Sequence, residues 1–271
     1  MISLDWKERL INDTKDFFER KLPQNDYDFD IIYNAYPERV DNKIPREVVV
    51  LVATTLANLI GKNHYKFKDF CEYIWNKKGE NGKIAFACLV SKFKKYDNKF
   101  YFEFAKKNLF NSSDAHDTNI LIDKVFYPIF KKYPEEHIDT LIHWLREDND
   151  IINQHLIKIP LKIGKNNSEY LSKFSSKLEN RWLGASAEYV KISGLFLKQL
   201  YKLDKKLYLK IYKNYINTRE PVFVEILTSG LTCYEDFLLE AYDNWSKSGN
   251  ARLKKAALTG YKYLIKKKGK N

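Results

Sequence analysis

From residue 66 onwards, stretches in which large apolar residues recur every three or four positions alternate with short polar turns, the pattern of amphipathic helices laid down in pairs. First helices are predicted to open near Lys66, Asp97, Pro134, Ser168, Asp204 and Glu235, about 31–37 residues apart. Each closes on a large apolar residue in the same register: Trp75, Leu109, Trp144, Leu178, Ile216 and Trp245. Second helices are predicted after Gly79, Asp114, Asn149, Trp182, Glu220 and Asn250, several of which cap well. In the last of them Leu253, Ala256, Ala257, Gly260 and Leu264 share one face, and its small members let a neighbouring helix come close. One pair cannot bury its apolar face alone. Six stacked pairs can, which predicts an all-α, HEAT-like αα-repeat fold, a right-handed superhelix with one concave wall.

The first 65 residues break this rhythm and read as N-terminal cap helices of the same single domain, with the six pairs over residues 66–271. A helix is predicted from Leu4 to about Lys21, then a loop, a short helix and a buried helix from Arg46 to Ile60. The β-branched run Val48–Val52 also suits an interior strand. Its continuation through Ala53, Leu56, Ala57 and Ile60 at helical spacing favours the helix.

Composition narrows the function classes. The 271 residues include only 10 Gly and 7 Pro, too few for an all-β chain of this length. The longest charge-free run, Val48 to Gly61, is shorter than the roughly 20 residues that a bilayer span needs. The charged stretch from Asp5 to Arg20 is unlike a secretory signal, so a cytoplasmic protein without membrane attachment is expected. Cys71, Cys88 and Cys233 are odd in number and lack metal-ligand spacing, and His64, His116, His137, His143 and His155 never pair; neither a disulfide framework, a metal nor a cofactor is expected. Hydrolase, phosphate-loop and dinucleotide motifs are absent, and Gly79-Glu80-Asn81-Gly82-Lys83 reads as a turn.

The remaining signal is charge, a formal +12. In the last helix Arg252, Lys255, Lys262 and Lys266 fall within about 80° of one another, and residues 249–271 contain no acid. Earlier second helices offer Lys83, Lys92, Lys124, Lys131, Lys158, Lys162, Lys191 and Lys198, so one wall could present a column of cations to phosphates. A solvated lysine face with a basic tail would look the same. Most Tyr and Phe sit at core spacing, whereas Trp182, Tyr189 and His116 lie near helix openings, where a groove would meet a ligand.

The central stretch Asp114-Ala115-His116-Asp117-Thr118, then Tyr127-Pro128-Ile129-Phe130-Lys131-Lys132-Tyr133-Pro134-Glu135, then His143-Trp144-Leu145-Arg146-Glu147-Asp148-Asn149, resembles the DNA alkylation-repair family of HEAT-like glycosylases, the AlkD type. The similarity covers roughly residues 46 to 265. It implies binding of duplex DNA along a basic concave face and release of N3- or N7-alkylated purines, with an acid and flanking tryptophans stabilising an oxocarbenium-like state. Set on the family's W-D-x-x-D segment, Asp117 takes the catalytic place and Ser113 the tryptophan's. Without gaps from the Y-P-I-F segment, the acid falls on Asn119 or Ile120 instead. Gln154 stands where the family has a DNA-contacting arginine, and Ser193 or Gly194 near its second aromatic wall.

Two functions are therefore expected in competition. One is a DNA-binding protein of this type, acting as a monomer, with Asp117 as candidate acid and Lys83, Lys124, Lys158, Trp182, Lys191, Arg252, Lys255 and Lys262 on DNA. The other is a protein-interaction scaffold holding an acidic protein or peptide. For Asp117 the plain alternative is a cap on the helix Thr118 to Lys131.

Overall fold

In a computed structural model of the chain, which describes residues 6–36, 39–40, 42–112, 114–145 and 149–269, every regular element is helical. The helices gather into two compact units, Met1–Ile129 and Phe130–Asn271, where the repeat spacing alone suggests one continuous domain.

The first unit holds α1 (Trp6–Arg20), α2 (Arg46–Ile60), α3 (Lys68–Lys77), α4 (Gly79–Phe93), α5 (Asn98–Phe110) and α6 (Ala115–Leu121), with 3-10 turns at Leu22–Gln24, Phe29–Ala35 and Gly61–Phe67. The expected start at Leu4 lies outside the described residues. The valine-rich segment is a helix with the expected bounds, and its inward side Val48, Val49, Val52, Ala53, Leu56 and Ile60 is buried. It packs on α1 and on α4, the centre of this unit, which also touches α3 and α6 and is buried without a break from Ile84 to Val90.

A π-helical turn, Ile122–Phe126, joins α6 to α7 (Tyr127–Lys132). Pro128 explains it: proline has no N–H for the carbonyl of Lys124, and its ring needs room there, which the wider turn supplies. In the second unit Pro160 likewise lacks the donor. It withholds a hydrogen bond from Leu156, and the helix expected after Asn149 divides into α9 (Asp150–Leu156) and α10 (Lys158–Gly164) behind α8 (Ile138–Trp144).

The second unit continues with α11 (Ser168–Glu179), α12 (Ala187–Leu203), α13 (Lys205–Tyr215), α14 (Pro221–Gly230), α15 (Asp236–Ser246) and α16 (Ala251–Lys268). Here α12 packs on α10, α13 and α14, α14 packs on α16, and α15 on α16. Second helices thus touch second helices.

Most openings coincide with local hydrogen bonds. The side chains of Asp97, Asp114, Asn149, Asp204 and Asn250 each accept from an amide in the first turn of the helix that follows. One helix opens later than its spacing predicts. Gly184, at a φ of 73°, interrupts the chain after Trp182, and α12 begins instead behind Ser186, whose hydroxyl accepts from the Tyr189 amide. The recurring apolar slot is buried at Trp75, Leu109, Trp144, Leu178 and Trp245, and Ile216 remains partly exposed. Trp245 also donates its indole N–H to the carbonyl of Thr218, 2.9 Å away, tying the last pair to the turn before it.

Gly260 puts a number on close approach. A carbon added there would lie 2.1 Å from the buried ring of Tyr242 on α15. Gly260→Ala should therefore lower stability by about 1–3 kcal/mol, although alanine is the better helix former by about 1 kcal/mol. Gly249, with nothing within 4 Å, is the control: Gly249→Ala should stay within about 0.5 kcal/mol. Urea midpoints for the two variants check the pair, and equal midpoints would remove the close-packing account.

Candidate functional site

Asp114, not Asp117, opens α6. Its carboxylate accepts from the amides of His116 and Asp117 at 2.6 and 3.1 Å, so the cap expected of Asp117 is already supplied three residues earlier. These amide bonds, led by that from Asp117, hold the Asp114 carboxyl below its usual range. Asp117 lies in the first turn, where a negative charge meets the positive end of the helix dipole.

From that place its carboxylate reaches Lys83 of α4 at 3.1 Å, and the same ammonium sits 3.8 Å from the centroid of the Trp75 ring on α3. Both charged side chains are under one-fifth exposed. Carboxylate, ammonium and indole thus join α3, α4 and α6. Beside them His116 Nε2 lies 3.2 Å from Glu80, which also meets Lys43 at 3.4 Å. This changes the chemistry expected of two residues. Lys83 does not stand free for a phosphate, and Asp117 already has a cation at contact distance, so a developing positive charge on a sugar would compete with a fixed ammonium. Trp75, which the repeat pattern identified only as a packing slot, supplies an aromatic face to the ammonium that pairs with the acid. Ser113 and Arg146–Asp148, which carry part of the family comparison, lie outside the described residues.

Trp182 is not at a rim. Its ring is fully buried, 5.1 Å from Tyr215 and 5.9 Å from Phe223, and offers no face to a base. Tyr189 is buried too, with its hydroxyl 3.5 Å from the carbonyl of Leu178. Trp182, expected on DNA, is instead core, because the fold encloses it between Tyr215 and Phe223.

The lysine column is interrupted. Arg252 makes a two-pronged contact to Glu225 of α14, 2.7 Å on each prong, and α14 itself contains no base. Lys191 lies 3.6 Å from Asp150 and 3.5 Å from Glu188. Lys124 is partly exposed on the π-helical turn, and Lys158 is exposed with its ammonium 3.1 Å from His155 Nδ1. Lys255, Lys262 and Lys266 are exposed on α16 and form no ion pair among the described residues.

No family model, curated protein or solved structure matches this chain. Among the described residues no group of three or more His, Cys, Asp or Glu could hold a metal ion, and no helix is long and apolar enough to cross a membrane.

One ionisable group escaped the sequence reading. Glu179 ends α11 beside the Trp182 cluster, and burial pushes its carboxyl up to about 7, against the opposing hydrogen bond from Tyr215 and the charge of Lys210. Its position at the negative end of the helix works in the same direction as burial. No motif marks it. Only the fold brings Tyr215 over it.

Asp114→Ala should lower stability as a lost cap. Asp117→Asn should cost about 1–2 kcal/mol, between an exposed and a buried pair broken on one side; chemical denaturation of both variants tests the assignment, and a neutral Asp114→Ala would return the cap to Asp117. For Glu179 the sign is set by the raised value. From about pH 4.5 to about pH 7 the folded chain keeps a proton that the unfolded chain has lost, so stability falls as pH rises and levels off above about 7. Glu179→Gln should remove that slope, read as the difference between parent and variant midpoints across this window.

Proposed function

We propose that this chain is a HEAT-like αα-repeat protein that binds duplex DNA through the phosphate backbone, without excising bases. The layering of α10, α12, α14 and α16 supports the repeat reading. The observation that carries the DNA reading is the outer face of α16. Lys255, Lys262 and Lys266 lie within about 40° of one another at about 100° per residue, along roughly 16 Å of helix. No acid shares this end of the chain, since none occurs from residue 249 onwards. Cations so placed can neutralise phosphates but carry no base readout.

The acid of the alkylation-repair resemblance argues for binding without excision. Asp117 is paired with Lys83, and the aromatic expected from Trp182 is in the core. A carboxylate stabilises a cationic transition state best when its charge is not already met by a fixed partner.

Fluorescence anisotropy with a plain duplex tests this reading. Three phosphate contacts give a slope of log affinity against log salt near −2.7, an approximately 40-fold loss from about 50 to about 200 mM salt. The Lys255, Lys262 and Lys266 to Ala variant should lose most of that slope. Unchanged affinity and slope would end the DNA reading. Release of N7-methylguanine or N3-methyladenine from alkylated duplex faster than in buffer would restore the glycosylase.

A further inference from the structure

Between α9–α10 and α12 runs a groove of about 440 Å3 whose floor is apolar and whose rims are cationic. Ile157 and Leu161 form the floor on one side, Leu195 and Leu203 on the other. Leu203 is 39% exposed, large for a leucine on a chain with so many apolar residues inside. Lys158 and Lys165 stand on the first rim and Lys202 on the second, all exposed. None of these three forms an ion pair, and no acidic side chain lines the groove, among the described residues.

We propose that this groove docks a short acidic amphipathic helix of a partner protein. Both halves of its chemistry have to be met at once. A phosphodiester strand would satisfy the lysines and leave the exposed parts of Leu195 and Leu203 wet, without the stabilisation that burial of apolar area brings. An uncharged apolar segment would cover the floor and bring nothing to the ammonium groups, whose rim positions favour anionic partners. An acyl chain with one headgroup places its charge at one end. Here Lys158 and Lys165 are seven residues apart on one helical face, about 10 Å, so the anions must be spread along the occupant. A helix with leucines on one stripe and glutamates on its flanks does that, and two turns of it match the length of the rim.

This site stands apart from the α16 surface, and neither reading depends on the other. Lys158, expected on phosphates as part of a continuous column, belongs to this groove instead.

The test uses the full chain and a fluorescein-labelled synthetic peptide helix of about four turns, with Leu at i, i+4 and i+7 and Glu on both flanks. Anisotropy should show saturable binding to the parent. Leu203→Asp should weaken it about tenfold or more, as should the Lys158, Lys165 and Lys202 to Ala variant, with circular dichroism unchanged. The Lys255, Lys262 and Lys266 to Ala variant should bind the peptide like the parent, which separates this site from the DNA reading. A second peptide with Gln for every Glu should bind about tenfold more weakly or worse, and that arm needs no protein variant. The proposal is overturned if the parent does not bind the acidic peptide, or if the Gln peptide binds equally well. It is also overturned if plain duplex or laurate displaces the peptide and is itself lost on Leu203→Asp, since the groove would then serve a nucleic acid or a lipid anion.

Discussion

Gly194 of α12 faces Ser229 of α14 across a gap that one added carbon would reduce to 2.2 Å, and Gly230 of α14 faces Leu197 of α12 in return, at 2.6 Å. Two helices held this close on backbone and small atoms leave no room between them for long side chains. Those side chains project outward, and their order on the surface is fixed by the register of the helices beneath. The same constraint recurs where Gly164 of α10 meets Leu171, and where Gly260 of α16 meets Tyr242. The exposed rows on α10, α12 and α16 are therefore consequences of core contacts, and a groove with straight rims needs helices that cannot drift apart.

Local physics made much of the fold legible. A capping carboxylate or amide acts within three residues, so Asp97, Asp114, Asn149, Asp204 and Asn250 mark helix starts in the sequence as well as in space. The valine run of α2 declared its helix through spacing, against its propensity. Interactions that span the chain were not legible. Nothing near Arg252 in sequence announces Glu225, nothing near Lys83 announces Asp117, and Trp182 has the periodicity of a rim residue while Tyr215 and Phe223 enclose it. Backbone chemistry was readable in principle at Pro128 and Pro160, each of which removes a donor from a helix that periodicity alone would run through.

Net charge says less about this surface than pairing does. The +12 of the chain invites a continuous cationic wall, but Arg252 and Lys191 face carboxylates, and Lys83 is held under one-fifth exposed between an acid and an indole. Among the lysines left outward, two groups differ in character. On α16 the lysines follow one stripe of a single helix, with Leu258 and Ile265 exposed to one side of it, and around Lys158, Lys165 and Lys202 they rim a groove floored by aliphatic side chains. Charge alone does not separate the two, but apolar surface beside it does, because desolvating a leucine is favourable only against another apolar group.

The acids of the central segment show how helix physics alone can produce the spacing of a motif. Asp114-Ala115-His116-Asp117 reads as the D-x-x-D of an alkylation-repair site, yet Asp114 takes the N-cap and Asp117 the third position of the helix it opens. Helix starts favour acids at both places for reasons that need no substrate: one accepts first-turn amide bonds, and the other faces the positive end of the dipole. The spacing is thus supplied by the helix itself. What would turn it into a catalytic site is an Asp117 carboxylate open to a sugar. Opening it requires Lys83 to leave both an oxygen at 3.1 Å and an aromatic face at 3.8 Å, two contacts that hold each other in place in a partly desolvated corner, where each is stronger than in water. The arrangement favours a clamp across α3, α4 and α6.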